Sequence, residues 1–131
     1  MRRRGFTLVE IMIVVAIIAL LAAIAIPNLL RARLTANETT AQATLRTVST
    51  AIETFAAANN GTYPDAMADL TGANPPYLNE DYTAAAQSGY VYTVPTWTSA
   101  YCVQAAPEVA GQGRTFRIRG GGVLEEGACG A

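Results

Sequence analysis

Residues 11–26, IMIVVAIIALLAAIAI, form an unbroken apolar run of 16 residues, and a run of that length leaves no face for water. Residues 6–26 extend it to 21 if Thr7 and Glu10 are admitted. As an α-helix such a segment rises about 31 Å, close to the thickness of bilayer hydrocarbon, so one membrane span is expected. Arg2, Arg3 and Arg4 precede the run and the next base is Arg31, which favours an N-terminus left in the cytoplasm; Arg31 and Arg33 reduce that asymmetry. Glu10 stands at the leading edge of the apolar segment. An ionised group at the centre of a span costs roughly 2.5 to 3.5 kcal/mol, so Glu10 needs a partner.

An ordinary secretory signal peptide also has a basic start, an apolar middle and a small-x-small site, here Ala23-Ile24-Ala25. Two features oppose that reading: the carboxylate of Glu10, and a helical pattern that continues past Pro27. Between residues 28 and 60, Ala41, Leu45, Val48, Ile52 and Phe55 recur at spacings of 4, 3, 4 and 3, with Arg46, Ser49, Glu53 and Thr54 between them. That is one apolar stripe on an amphipathic helix. Cleavage after Ala25 would discard half of the helix. Pro27 lacks an amide donor and crowds the carbonyl four residues back, so a kink is expected there. If both halves are helical, residues 6–59 make 54 residues, about 81 Å of helix. So small a domain cannot bury all of it, and the first half must meet lipid or other copies of itself.

Asn59-Asn60-Gly61 reads as a helix stop, and Thr62-Tyr63-Pro64 as extended chain. Residues 61–88 form a connecting region with a short helix near 65–70 and a breaker cluster at 72–76. Strand signals follow at 89–94, 99–105, 115–119 and 122–125, separated by proline or glycine turns, and the simple arrangement is a four-stranded antiparallel meander. Phe116 and Ile118 alternate with Arg117 and Arg119, so one face of that strand is suited to covering the helical stripe.

The remaining chemistry is sparse. A chain of 131 residues has room for one compact domain. Its nine bases are all arginine, against ten acids, and without the three leading arginines the balance is six against ten. No basic field exists for a nucleic-acid backbone, so no nucleic-acid partner is expected. There is no histidine, which removes His-dependent triads, Cys-His pairs and the commonest metal ligand. Glu125 and Glu126 are adjacent and face opposite sides of a strand, so they form no catalytic dyad. No enzyme activity, cofactor or metal is expected. Asp65, Asp69, Glu80 and Asp81 fit no EF-hand spacing and read as solvated acids rather than a calcium site. Two cysteines, Cys102 and Cys129, in a chain with an export-like front end suggest a disulfide; the alternative is two reduced thiols.

Gly5-Phe6-Thr7-Leu8-Val9-Glu10, after a short basic leader and before an apolar run containing Pro27, resembles the processing site of type IV pilins and of the pseudopilins of type II secretion systems. The resemblance implies an α+β fold, in which a long N-terminal helix packs by its second half against a small antiparallel sheet. Residues 1–5 would be a leader peptide and 6–27 a transmembrane and filament-core helix half. Residues 28–131 would be the head, made of amphipathic helix 28–60, loop 61–88 and sheet 89–131. A prepilin peptidase would cut between Gly5 and Phe6, and the new Phe6 amine would be N-methylated. An inner-membrane assembly platform and its ATPase would draw the subunit out of the lipid into a homo-oligomeric filament. The chain would thus be a single-pass inner-membrane protein first and part of an extracellular pilus afterwards.

In that setting Glu10 becomes an assembly charge. An α-amino group titrates near 8, and opposite charges about 4 Å apart attract by roughly 4 kcal/mol at an effective dielectric of 20. The family places this pair between neighbouring subunits; a pair within one helix, four residues apart, is the local alternative. A Cys102–Cys129 bridge resembles the C-terminal disulfide of many type IV pilins and would close a loop of about 28 residues, worth about 3 to 4 kcal/mol by the chain-entropy model. The Asp-Pro-Trp-Gly stretch and calcium-binding tail typical of major pseudopilins are missing. The expected function is therefore a structural pilus subunit, the alternative a secretion pseudopilin or a minor pilin. A filament conducting through stacked aromatics has little support, because Phe6 and Phe55 are the only aromatics of the mature helix.

Overall fold

The computed structural model describes Met1 and residues 4–130; Arg2 and Arg3 of the expected leader, and Ala131 at the end of the expected sheet region, lie outside the described residues. One helix, α1, runs Leu8–Ala58 with Pro27 inside it. It begins two residues later than the periodicity suggests because Thr7 serves as its cap. Its end follows the Asn-Asn-Gly signal: Asn60 and Gly61 take left-handed φ values of 55° and 84°, and the Gly61 amide donates to the Ala56 carbonyl at 2.8 Å. The Asn59 side chain donates to the Phe55 carbonyl at 2.8 Å. Orphan carbonyls of the last turn are thereby satisfied.

The chain divides into two compact units, residues 1–33 and 34–131. In the second, Ala41, Leu45, Val48 and Ile52 of α1 are completely buried, as the spacing of 4, 3 and 4 requires. Across from them lies an antiparallel sheet with the order β1-β2-β3-β4, whose strands are β1 Tyr90–Thr96, β2 Cys102–Pro107, β3 Phe116–Arg119 and β4 Val123–Glu126. Tyr90, Tyr92, Val103, Phe116 and Ile118 of the sheet share one apolar cluster with the α1 stripe. In β3 the alternation holds: Phe116 and Ile118 are buried, while Arg117 and Arg119 are not. Full burial of each such side chain is worth about 1.5 to 3 kcal/mol, so helix and sheet stabilise each other.

Strand edges differ from the sequence pattern by up to three residues, most of all where β1 ends and β2 begins. β1 continues to Thr96 because its pairing with β2 shifts register between Thr93 and Thr96, which accommodates Pro95 on an edge strand. β2 starts at Cys102 rather than at Ser99, since the preceding residues close a turn in which the Tyr101 amide donates to the Thr98 carbonyl at 2.8 Å. Tyr101 itself is fully buried, and its hydroxyl lies 2.6 Å from Ser49 Oγ of α1. Burial pushes that phenol up to about 12, so it remains a neutral hydrogen-bonding group. A short helix, α2 Met67–Thr71, is started by Asp69, whose carboxylate accepts the amides of Asp65 and Ala66 at 2.9 and 3.0 Å. It delivers Met67 and Leu70 to the core.

Candidate functional site

Chemistry concentrates at the junction between residues 4–7, which are not helical, and the start of α1. Gly5 is exposed and has open space where a Cβ would stand, and Phe6 is 85% exposed. The Gly5-Phe6 peptide is therefore accessible in a non-helical segment.

Two residues further on, the chain turns into helix through a reciprocal cap. The Thr7 amide donates to Glu10 Oε2 at 2.9 Å, the Thr7 hydroxyl donates to the same oxygen at 3.0 Å, and the Glu10 amide donates to Thr7 Oγ1 at 3.3 Å. This is the capping box of a T-x-x-E sequence: two amides that the first turn leaves without partners are satisfied, with negative charge at the positive end of the helix dipole. Expectations built on charge alone pass over this role of Glu10, although Thr7-Leu8-Val9-Glu10 carries the motif openly. The carboxylate turns toward Thr7, and the nitrogen of Phe6 is a peptide nitrogen without charge.

Beyond the cap the side chains have no protein to pack against. Ile11, Met12, Ile13, Val14, Val15 and Ile17 are each at least half exposed. The helix is long and apolar enough to cross a membrane, and none of its most apolar 18-residue window is buried.

Cys102 and Cys129 are joined by a disulfide, with their Cα atoms 5.9 Å apart. The bond fastens the tail to β2, and two further contacts hold it: the Cys129 amide donates to Gln104 Oε1 at 2.8 Å, and Arg117 Nη1 donates to the Ala128 carbonyl at 2.7 Å. The acids considered for calcium are not gathered. Asp69 caps α2, Asp81 accepts from the Thr83 amide and hydroxyl, and Glu80 accepts from the Gln87 side chain. Among the described residues no group of three or more His, Cys, Asp or Glu is placed to hold a metal ion.

A charged cluster that no local pattern announces ties α1 to the sheet. Arg114 Nη2 lies 2.9 Å from Glu38 Oε2, and Nη1 lies 3.2 Å from Glu126 Oε2. The Arg114 carbonyl accepts the Tyr90 hydroxyl at 3.0 Å.

Comparison with known proteins covers part of the chain. Residues 1–26 match the family model described as the prokaryotic N-terminal methylation motif. The chain is similar to the type IV major pilin protein PilA of Myxococcus xanthus, 50% identical over 54 residues that cover 41% of this chain and 24% of that protein. It is likewise similar to the type IV wide pilus major component PilA4 of Thermus thermophilus, 62% identical over 42 residues, 32% of each chain. The match thus spans about a quarter to a third of the length of these curated relatives. No solved structure matches the chain.

Proposed function

From the match of residues 1–26 to the prokaryotic N-terminal methylation motif and the similarity of part of the chain to two type IV pilins, we propose that this chain is a structural subunit of a type IV pilus, polymerising through the apolar half of α1. One observation carries the reading. The helix that continues into a well-packed head has no buried residue in its first half, directly behind an accessible Gly5-Phe6 bond.

In this reading a prepilin peptidase cuts that bond and the Phe6 amine is methylated. Cleavage changes the electrostatics of the cap: a neutral peptide nitrogen becomes a cation one residue from Thr7, where the Glu10 carboxylate is already held. The carboxylate is then free to exchange Thr7 for an amine, either its own or that of a neighbouring copy. Left alone in an apolar bundle, either charge would be strongly destabilising. Neutralising both in the filament therefore selects the register at which subunits join. Membrane lipid holds the pool of subunits before an inner-membrane platform and its ATPase extract them. Pro27, with no amide to donate, is where the ladder of helical hydrogen bonds is weakest and the helix bends during packing.

The test is electron microscopy of sheared surface appendages, with mass spectrometry of their subunit. Filaments rich in this chain, beginning at a methylated Phe6, are the expected result; a soluble product beginning at Ile26 overturns the reading. Glu10→Ala is expected to leave the subunit inserted and folded and to reduce filament yield, and an unchanged yield rejects the charge exchange.

A further inference from the structure

The outward face of the second half of α1 has the properties of a contact surface rather than of a face made for water. Thr47, Thr50 and Thr54 are exposed, and each hydroxyl donates to the carbonyl four residues back, on Ala43, Arg46 and Thr50, at 3.1, 2.9 and 2.7 Å. Their hydrogen-bonding capacity is turned inward and their methyls are left at the surface. Threonine is a poor helix former, so three of them on one exposed face cost helix stability that longer, charged side chains would not.

In the middle of this face stands Arg46. It borders two shallow grooves of about 530 and 470 Å³, the first between α1 and the Pro76-Tyr77 segment, the second between α1 and Ile118, Gly122 and Leu124 of the sheet region. Within the second unit Arg114, Arg117 and Arg119 are all ion-paired. Among the described residues Arg46 alone of that unit's arginines has no carboxylate partner. Its surroundings make it a cation without an internal use.

The same unit holds a matching pair of acids. Glu80 and Asp81 are adjacent and exposed. Gln87 Nε2 donates to Glu80 Oε1 at 2.8 Å, and the amide and hydroxyl of Thr83 donate to Asp81 Oδ1 at 2.8 and 2.6 Å. Each carboxylate is thus fixed by one oxygen and keeps the other without a hydrogen bond among the described residues. A guanidinium is a planar fork suited to taking two such oxygens. Glu53 and Asp69 are occupied by the Gly121 amide and the α2 cap, and among the described residues nothing comparable fixes the side chains of Asp65 and Glu108.

We infer that the Arg46 face of α1 receives the head of a second copy of this chain, with Arg46 bound by the Glu80 and Asp81 carboxylates of that copy. The contact rests on the proposed filament function and adds to it a specific joint between heads, separate from the apolar helix and from Glu10. In a filament the contact is heterologous, each copy offering Arg46 to one neighbour and its Glu80-Asp81 pair to another, so it repeats without closing.

The test uses the full chain in cells that assemble it, reading sheared filament yield together with the inserted, oxidised subunit. Arg46→Glu is expected to lower filament yield at least about tenfold, the scale for reversing a charge in a buried pair, with the subunit pool unchanged. Arg46→Lys keeps the charge without the fork and is expected to fall between the two. Arg46→Glu combined with Glu80→Arg and Asp81→Arg is expected to restore assembly. If the unaltered chain makes filaments and Arg46→Glu makes as many, this contact is wrong and the pilus reading stands. Failure of the combined variant to restore assembly rejects the Glu80-Asp81 assignment. If the unaltered chain makes no filaments, the functional reading itself fails and takes this contact with it.

Discussion

The two halves of α1 are continuous in backbone and opposite in environment. Residues 8–33 contain no buried residue, although nearly all of them before Pro27 are apolar. Between residue 34 and the helix end, Ala41, Leu45, Val48, Ser49, Ala51, Ile52 and Ala56 are buried along one stripe, with alanine, threonine and Arg46 facing outward. A stripe appears only where one face of a helix meets protein and the other meets water. The first half has no stripe because every face is made for the same apolar surroundings. Helix stability in the two halves thus has different sources: packing in the second, and in the first a solvent or a set of neighbours that the single chain does not contain.

That contrast is broken most directly by separating the halves. A chain lacking residues 1–33 is expected to be soluble, folded and disulfide-bonded, whereas the whole chain requires membrane or detergent; fractionation and circular dichroism check this. A fragment that aggregates or unfolds would mean that the head depends on the apolar half. A smaller effect follows from matched truncations of leucine. Leu45→Ala removes a fully buried side chain and is expected to lower head stability by about 2 to 5 kcal/mol, while Leu20→Ala, 64% exposed, leaves the thermal transition of the head in place. Equal shifts in a melt of the detergent-held chain would erase the distinction.

Next in size, and comparable at its upper end, is the covalent part of the head's self-sufficiency. Replacing Cys102 and Cys129 together by serine is expected to cost about 3 to 4 kcal/mol through the freed loop, less whatever Gln104 and Arg117 continue to hold. Urea unfolding of residues 34–131 measures it. A loss well under about 1 kcal/mol, the scale of a single net hydrogen bond, would assign the fastening of the tail to those two side chains instead.

Much of this organisation can be read directly from residues whose neighbours in sequence are their neighbours in space. The apolar run, the 4-3-4-3 stripe, the Asn-Asn-Gly stop and the alternation in β3 are all local. Strand ends are less legible, because a register shift beside Pro95 and a turn at Thr98 depend on which strand lies alongside. The Thr7-Glu10 cap is visible in sequence, but its meaning competes with that of a buried charge, and only geometry assigns the carboxylate to Thr7. The Glu38-Arg114 pair spans 76 positions and has no sequence signal, since it exists only after the sheet has docked on α1.

That pair supplies the smallest effect and a pH signature for the head. The side chain of Glu38 is 15% exposed and accepts from Arg114 Nη2 at 2.9 Å. This hydrogen bond, with the nearby positive charge, holds its carboxyl below the ordinary carboxylate value. A carboxyl depressed on folding binds fewer protons in the folded state than in the unfolded one, so it stabilises the head above its unfolded value, about 4.3. The contribution declines as pH falls below that value and is gone once pH has passed the lower, folded one. Arg114 is half exposed and salt screens it, which keeps the effect modest. The urea midpoints of residues 34–131 with Glu38 and with Glu38→Gln are therefore expected to differ near neutral pH and to converge in acid. A difference that persists undiminished at low pH would mean that Glu38 joins helix to sheet by shape and hydrogen bonding and not by charge.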